Sequence, residues 1–370
     1  MKENEGPIIF KDRKKIPKGA KIFDVYDQGV KELFFIQNPK TKRSSPGFDA
    51  KYKQFITRSR IPHIWIYYPW IDTAVRSVSE PHYFKLRCAR NRNIISEAEQ
   101  TKFRQTKVGI AGLSVGSAVV RSLVTTGGSK ILKLADPDKI EISNLNRINA
   151  SLTDVGLSKT LVAARTVWET DPFAKLFLWG EGIRKDTVEK FILGKPKIDV
   201  LVDEMDDLSI KILVRKICKS HKIPVIMATD NGDGIVLEVE RFDLEPHLEI
   251  FHGALGNVDN LKIDKHDLVE WLKLAVKIVE LQNISIKLYD SILEIGKSIT
   301  GIPQIGTGAA LAGSAVAYAV RQIANNFPLK SGKYLITFEN QFLSKKDSAI
   351  YWKEKQKKMK KLTNILEGKK

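Results

Sequence analysis

The chain contains 370 residues, of which 43% are hydrophobic, so it is long enough to form one large α/β domain and a smaller module. A composition of this kind excludes a disordered or fibrous protein. The formal net charge of +18 favours acidic partners but does not identify one. From Ser344 onwards, ten lysines stand against three acidic residues, which predicts a solvated basic tail or, alternatively, a segment that binds nucleic acid.

Only two cysteines are present, Cys88 and Cys218, so the sequence supports neither a disulfide framework nor a four-cysteine zinc site. We therefore expect no structural zinc and a reducing, cytoplasmic environment. The first 22 residues lack a continuous apolar run, which excludes an ordinary signal peptide. Residues 298–320 are uncharged over a length that could span a bilayer, but their glycines, proline and glutamine instead predict a buried helix and no membrane span.

The N-terminal part, residues 1–85, is rich in lysine, proline and aromatic residues and is predicted to be an accessory module. Aromatic and β-branched residues at 61–70, bounded by prolines, predict a short strand within it. The sequence assigns no role to this module. Ser96 and Glu99 have the spacing of a capping box, which predicts that a helix begins there.

Residues 86–340 show the alternation of strand and helix that is typical of a doubly wound, Rossmann-like α/β domain. Strands are predicted at 108–111, 131–135, 176–179, 200–203 and 225–228, and helices from about 117, 158, 187 and 208. Regular alternation implies right-handed crossovers and a mainly parallel sheet with helices on both faces. The remainder is predicted as a helical insertion at about 260–298, the buried helix at 303–323, a strand at 334–338 and the basic tail at 341–370.

The first predicted strand leads into a glycine-containing turn at which a helix begins. Gly112, Ser114 and Gly116 lie in this turn, which allows backbone amides to approach a phosphate at a helix N-terminus. The match to the pattern G-x-G-x-x-G is incomplete, because Ser114 replaces a glycine and the loop is one residue shorter. Tight packing of strand on helix is the alternative explanation. Asp136 ends the second strand, where a carboxylate accepts hydrogen bonds from ribose hydroxyls, a feature that fits NAD as well as ATP.

The chain contains further polar residues that an enzyme of hydride transfer would not need. They are Arg92, Asp138, Asn144, Arg147, Lys159 and Asp206. Together with the Gly112 turn and Asp136, this order resembles the E1-like superfamily, which includes ThiF, MoeB and the ubiquitin-activating enzymes. The resemblance extends from about residue 92 to residue 338.

The resemblance implies roles at the nucleotide for three of these residues. Arg92 lies in an element similar to the family's R-x-I-I, whose arginine reaches into the nucleotide site of the neighbouring subunit, so a homodimer is implied. Asp136 and Asp138 are similar to the D-x-D element, in which the first carboxylate binds the ribose of ATP.

The same resemblance implies roles near the phosphates for four others. Asn144 and Arg147 are similar to the N-L-x-R residues beside the triphosphate, and Lys159 to the phosphate-binding lysine. Asp206 is similar to the aspartate of D-x-x-D that holds Mg²⁺. The G-I-P-Q-I-G element at 301–306 is similar to the late crossover element beside the carboxylate substrate.

The implied chemistry is the adenylylation of a carboxylate by ATP and Mg²⁺. Catalysis then requires only that the substrates are positioned and that the negative charge of the phosphates is neutralised, since the attacking carboxylate is already ionised. The implied substrate is the C-terminus of a ubiquitin-like or sulfur-carrier protein or of a peptide. A small or tRNA-borne carboxylate is one alternative, and a non-catalytic nucleotide-binding scaffold is another. Many members use a cysteine in the crossover region, but none follows Cys218 here, so we expect an enzyme without its own catalytic cysteine.

Overall fold

The N-terminal part of the chain forms a four-stranded sheet with helices beside it. The computed structural model describes residues 6–261 and 268–367. In chain order, the first elements are β1 (Ile8–Phe10), β2 (Lys21–Asp24), α1 (Tyr26–Gln37), α2 (Phe48–Ser59), β3 (His63–Tyr68), β4 (Thr73–Val78) and α3 (Glu80–Arg87). The strand order is β1-β3-β4-β2. The strand predicted within 61–70 is β3, and its Trp65, Ile66 and Tyr68 are buried, so its aromatic residues belong to a core.

The rest of the chain builds a seven-stranded sheet and its helices. Its elements are α4 (Glu97–Gln105), β5 (Lys107–Ala111), α5 (Val115–Thr125), β6 (Ile131–Ala135), α6 (Lys159–Thr170), β7 (Lys175–Trp179), α7 (Val188–Leu193), β8 (Val200–Asp203), α8 (Leu208–Ser220), β9 (Val225–Asn231), β10 (Gly234–Glu240), α9 (Leu268–Val279), α10 (Ile286–Glu294), α11 (Gly306–Ala324), β11 (Gly332–Ile336), α12 (Glu339–Phe342) and α13 (Lys345–Leu366). The predicted capping box is present at the start of α4.

The strand order of the large sheet is β11-β10-β9-β8-β5-β6-β7. The five strands from β5 to β9 run parallel, whereas β10 pairs antiparallel with both β9 and β11. Helices α5, α6 and α11 contribute to the core on one face, and α7 and α8 to the core on the other. These features confirm the predicted Rossmann-like, doubly wound α/β fold with a mainly parallel sheet.

Helix α11 is the buried small-residue helix predicted at 303–323, and it packs closely against α5. A Cβ atom at Gly313 would lie 2.5 Å from the carbonyl oxygen of Ala118, so only glycine allows this approach. Ala312, Val316 and Val320 fill the core around the contact. No helix within the described part of the chain has the length and apolar content needed to cross a bilayer.

The sequence pattern does not predict strand β10, although all seven of its residues are buried. Glu238 and Glu240 interrupt its apolar residues, which hides the strand from a periodicity argument. Glu240 accepts a hydrogen bond from Arg215 Nε at 2.6 Å, and both side chains are fully buried. Burial of a carboxylate here depends on a cation supplied by α8, which local sequence does not reveal.

The basic C-terminal segment is not the solvated tail expected from its composition. Helix α13 packs on α10 of the predicted helical insertion, and Leu362 and Tyr289 are each only 1% exposed at their contact. The helix is amphipathic, with apolar residues spaced to cover α10 while most of its lysines remain on the outside. Residues 262–267 of the insertion and 368–370 of the tail lie outside the described residues.

Candidate active site at the switch point of the sheet

The strand order reverses between β5 and β8, because β6 and β7 continue on one side of β5 while β8 and β9 lie on the other. Loops from the carboxyl ends of β5 and β8 therefore leave in opposite directions and open a crevice. Ligands of open α/β sheets bind in such a crevice. The predicted site residues after β5, β6 and β8 all lie along this edge.

Gly112 forms the turn at the end of β5, as predicted. Its φ of +87° favours glycine, and a Cβ atom there would lie 2.2 Å from the carbonyl oxygen of Glu204. A Cβ atom at Gly116 would lie 3.1 Å from Ile110, so this glycine serves the packing of α5 on β5. The first turn of α5 contains no acidic residue, and its N-cap Ser114 makes no side-chain cap. The amides at this helix start therefore remain suited to an anion.

Asp136 follows β6 and stabilises the same turn through hydrogen bonds. The residue is only 4% exposed. Its Oδ2 accepts a hydrogen bond from the Leu113 amide at 2.6 Å, and its Oδ1 accepts one from the Asp138 amide at 2.8 Å. Burial raises the pKa of Asp136, while the nearby Lys159 and the two amide donors oppose this increase. Each carboxylate oxygen has a second lone pair, so Asp136 can still accept a hydrogen bond from a ribose hydroxyl.

Lys159 and Asp138 are paired with each other. Lys159 is the first residue of α6 and is 8% exposed, and its Nζ lies 2.8 Å from Asp138 Oδ2 and 3.9 Å from Asp136 Oδ1. The structure thus brings these three predicted residues together at the end of β6. A phosphate bound by Lys159 would have to share the ammonium group with Asp138.

Arg147 and Ser114 connect the nucleotide turn to the late crossover element. Arg147 Nε donates to Ser114 Oγ at 2.9 Å, and Ser114 Oγ donates to Gln304 Oε1 at 3.3 Å. Asn146 Nδ2 donates to the Gln304 carbonyl at 2.8 Å. The serine that departs from the glycine pattern is therefore the residue that anchors Arg147 beside the turn.

Asn144 has a structural role in the loop that carries Arg147. It is 6% exposed, and its side-chain Oδ1 accepts a hydrogen bond from the Glu141 amide at 3.1 Å within a reciprocal cap of a short 3₁₀ helix. This cap fixes the backbone just before Arg147. The structure supports Asn144 as a residue that shapes the loop, and its contact with a phosphate stays a prediction.

Asp203, the last residue of β8, and Asp206, in the loop after it, differ in their surroundings. Asp203 is fully buried, and the cations Lys211 and Arg215 outweigh its burial and hold the pKa of this carboxyl below its usual value. Asp206 is exposed, and its carbonyl oxygen accepts a hydrogen bond from Trp271 Nε1 at 3.4 Å. Of these two aspartates, Asp206 is therefore the one that offers a carboxylate to a ligand in the crevice.

Asp206 fits the way in which proteins bind Mg²⁺ together with a nucleotide. Such ions are held by one or two carboxylates and by the substrate's phosphates, and they keep several waters. Within residues 6–261 and 268–367, no group of three or more His, Cys, Asp or Glu side chains could hold a metal. The ion would therefore depend on the phosphates as much as on Asp206.

Arg92 does not reach the site of its own chain. It is exposed, and the preceding Asn91 donates through Nδ2 to the carbonyl of Thr126 at 3.0 Å, beyond the C-terminal end of α5. The Gly112 turn lies at the other end of this helix, roughly 16 Å away at 1.5 Å per residue. The role of Arg92 at the nucleotide site of a neighbouring subunit, which the resemblance implied, stays a prediction.

Asp230 lies at the carboxyl end of β9 and was not among the residues predicted from sequence. It is 8% exposed, and neither carboxylate oxygen has a hydrogen-bond partner within the described part of the chain. Burial raises its pKa to about 6, and Arg147 opposes this effect. The sequence around it, T-D-N-G-D-G, indicates a turn, so nothing local marks Asp230 as buried.

The two cysteines lie away from the crevice. Cys218 is on α8, on the opposite face of the sheet from α5, and is fully buried, and this burial raises the pKa of its thiol. Cys88 is half-buried beside Gly127, and its pKa is also raised by burial. Buried thiols of raised pKa are poor nucleophiles.

Comparison with known proteins decides the family. The profile of the ThiF family matches residues 88–356, which is most of the chain. The chain belongs to the ThiF family. This result confirms the family predicted from the order of the motifs.

Individual ThiF relatives share only part of their length with this chain. The uncharacterized protein MT1398 of Mycobacterium tuberculosis is 36% identical over 269 residues, which cover 73% of this chain and 37% of that protein. Ubiquitin-like modifier-activating enzyme 5 of Culex quinquefasciatus is 28% identical over 145 residues, covering 37% of this chain and 36% of that enzyme. The chain thus spans a little over a third of the length of these relatives.

Among solved structures, the crystal structure of selenomethionine PaaA is similar to this ThiF-family chain. The two share 19% sequence identity with a TM-score of 0.49. The alignment covers 70% of this chain and 77% of PaaA.

The unpartnered carboxyl group of Asp230 leads to a prediction about stability and pH. Its pKa in the folded chain is raised from 3.8 to about 6, so the folded state binds the proton more tightly than the unfolded state does. The resulting stabilisation is full below about pH 4 and is lost as the pH rises through about 6. Asp230→Asn has no such proton to lose. Its free energy of unfolding, relative to that of the wild type, should therefore increase by on the order of 2 kcal/mol between pH 4 and pH 7.5.

Urea denaturation at both pH values measures this difference. Asp233→Asn is the matched control, because Asp233 lies in the same turn but is exposed, and its variant should show no such pH dependence. A difference between Asp230→Asn and the wild type that does not change with pH would contradict the prediction.

Proposed function

We propose that this ThiF-family protein binds ATP with Mg²⁺ and adenylylates a carboxylate, namely the C-terminus of a ubiquitin-like or sulfur-carrier protein or of a peptide. The observation that carries the proposal is the arrangement of groups along one edge of the sheet. A ribose acceptor, Asp136, ends β6, the cations Lys159 and Arg147 lie beside the turn after β5, and Asp206 is exposed after β8. These groups lie in the order in which the ribose and the phosphates of a nucleoside triphosphate would meet them.

The proposed reaction is an in-line displacement at the α-phosphorus. A carboxylate oxygen of the substrate forms a bond to this phosphorus, the bond to the bridging oxygen breaks, and pyrophosphate leaves with that electron pair. The products are an acyl-adenylate and pyrophosphate. No general base is needed, because the attacking carboxylate is ionised at neutral pH.

The chain's own residues contribute charge and position. Arg147 is held against Ser114 and lies at the start of α5, where it can neutralise phosphate charge without losing the entropy of a free side chain. Lys159 lies at the start of α6 and would exchange part of its contact with Asp138 for a phosphate oxygen. Mg²⁺ held by Asp206 would supply the charge that offsets the leaving pyrophosphate.

The proposed substrate class rests on the family and on the absence of an accessible thiol near the crevice. One relative is named as an enzyme that activates a ubiquitin-like modifier. Cys218 is buried on the opposite face of the sheet, which argues against it as an acyl acceptor. We therefore expect the acyl-adenylate to be transferred to a nucleophile on another molecule.

The exposed Arg92 supports a homodimer in which each subunit completes the other's site. Ile94, two residues later, is 79% exposed, and an apolar side chain of this kind gains by burial in an interface. An isologous dimer would place two copies of this segment against two nucleotide sites.

A tRNA-borne carboxylate is a second candidate substrate, and the charge of the chain favours it. Lys353, Lys357, Lys360 and Lys361 form an exposed basic stripe on α13. Phosphate backbones bind such surfaces in a salt-dependent way. Addition of tRNA to an ATP–pyrophosphate exchange assay, at low and high salt, distinguishes this candidate from a protein or peptide substrate.

The proposed role of Asp206 predicts the outcome of a paired substitution. Asp206→Asn removes the charge that holds Mg²⁺ at the leaving group, so carboxylate-dependent ATP–pyrophosphate exchange should fall by on the order of 100-fold or more. Asp207→Asn is the matched control. Asp207 caps α8, and asparagine caps a helix as well as aspartate does, so this variant should retain exchange. An equal loss in both variants would contradict the role of Asp206.

Cys218→Ser tests the same reaction for a cysteine step. The variant buries a hydroxyl group and should lose about 1 kcal/mol of stability, but exchange should stay within a few-fold of the wild type. A thioester on Cys218 of the wild type, detected by mass spectrometry, would contradict the proposal that the acyl group passes directly to a nucleophile on another molecule.

Complementation between inactive variants tests the homodimer. Arg92→Ala and Asp206→Asn each inactivate every site of their own dimer if Arg92 acts on the neighbouring subunit. A mixed dimer has one site with both residues intact, so exchange activity should return after the subunits have exchanged. No recovery, despite subunit exchange verified by native mass spectrometry, would place Arg92 outside the neighbour's site.

A further inference from the structure

The unpartnered carboxylate of Asp230 calls for an explanation. A buried polar group without a hydrogen-bond partner costs about 1–3 kcal/mol, and more if it is charged. Both oxygens of Asp230 are in this position, and the side chain is more than nine-tenths buried. A group of this kind that remains in a folded chain is a candidate for contact with a ligand.

Asp230 points to the start of α11. Its Oδ1 lies 3.5 Å from the position of the Cβ atom that Gly308 lacks, and the same position is 2.6 Å from the carbonyl oxygen of Gly232. Glycine at 308 is therefore what allows α11 to begin against the turn between β9 and β10. The N-cap of this helix, Ile305, provides no side-chain cap. The first amides of α11 have no acceptor within the helix and lie beside an acceptor that lacks a donor.

The charges around this point come from two other loops. Arg147 acts on Asp230 from the loop after β6, and Glu204 lies near it at the end of β8. Glu204 is engaged elsewhere, since its Oε1 accepts the Ala228 amide at 3.0 Å. The first turns of α5 and α11 contain no acidic residue. Asp233, at the same place, accepts a hydrogen bond from Thr307 Oγ1 at 2.6 Å. Among the residues that the structure describes, Asp230 is thus the buried carboxylate without a donor where α11, β9 and the Arg147 loop meet.

The strand order gives the direction in which a substrate would lie. A nucleotide with its ribose at Asp136, after β6, extends its phosphates over β5 and β8. The next strand in that direction is β9, which carries Asp230. The second substrate, which must approach the α-phosphate from outside the nucleotide, therefore meets α11 and Asp230. This step rests on the proposed function.

We propose that Asp230 accepts a hydrogen bond from an N–H group adjacent to the reacting carboxyl group of the substrate, while the first amides of α11 bind the carboxylate itself. A bare carboxylate would be repelled by Asp230, whereas a carboxylate that brings its own donor satisfies both groups. The substrate is then a peptide C-terminus or an amino acid. Fatty acids, acyloxy acids and other carboxylates without a neighbouring hydrogen-bond donor are excluded by the same residue.

Matched pairs of acids in the ATP–pyrophosphate exchange assay test this specificity. One pair is a tetrapeptide ending in Gly-Gly and its depsipeptide, in which an ester oxygen replaces the last N–H group. A second pair is an N-acetylamino acid and the corresponding acetoxy acid, which has no donor beside its carboxyl group. The wild type should prefer the N–H member of its best pair by on the order of tenfold or more in kcat/KM.

Asp230→Ala should bring this preference to within about threefold, through a loss on the N–H member alone, because the remaining contacts of the pair are the same. The thermal midpoint of the variant should not fall, since the substitution removes an unpartnered group. Asp233→Asn is the control: Asp233 accepts a hydrogen bond from Thr307 Oγ1 at 2.6 Å, is exposed, and its variant should keep the preference.

Two results would overturn the inference: equal rates with both members of every pair in the wild type, or a preference that persists in Asp230→Ala. If the preference persists and the Mg²⁺ concentration for half-maximal exchange shifts in that variant, Asp230 is a metal ligand instead. Absence of exchange with every acid in the wild type would instead contradict the proposed adenylylation, and the role of Asp230 would fail with it.

Discussion

The candidate site depends on the close approach of two backbone segments at the switch point of the sheet. The turn at Gly112 lies against the carbonyl of Glu204, with no room for a side chain. This contact brings the carboxyl end of β5 next to that of β8, so the start of α5 and the exposed Asp206 face one crevice. A residue larger than glycine would separate them, and the groups proposed to bind ribose, phosphate and metal could no longer contact one ligand.

Side-chain hydrogen bonds then lock the loops around this contact. Asp136 holds the turn through the Leu113 amide, and Ser114 joins Arg147 to Gln304 in the late crossover element. Residues separated by nearly 200 positions are thereby fixed before any ligand binds, which is the preorganisation that electrostatic catalysis requires. Lys159 is the exception, because its ammonium group is paired with Asp138 and a phosphate would have to compete for it.

Local patterns predict the parts of this molecule that local energetics determine. The parallel strands, the capping box at Ser96 and the small-residue helix α11 follow from periodicity and cap chemistry, and the order of motifs led to the correct family. Strand β10 and the docked helix α13 were not evident, because each depends on a distant partner: Arg215 for Glu240, and Tyr289 for Leu362. Asp230 belongs to the same class, since its burial results from α11, more than 70 residues later in the chain.

A comparison of ATP with NAD tests the central claim most directly. Under the proposed function, both ligands would offer a ribose to Asp136, but only ATP with Mg²⁺ would bring a triphosphate and a metal ion to Arg147, Lys159 and Asp206. At a given concentration, a ligand that binds the folded state raises the thermal midpoint more if it binds more tightly. At equal concentrations in a thermal unfolding assay, ATP with Mg²⁺ should therefore raise the midpoint more than NAD does. An equal or larger shift with NAD would contradict the assignment of this crevice to ATP.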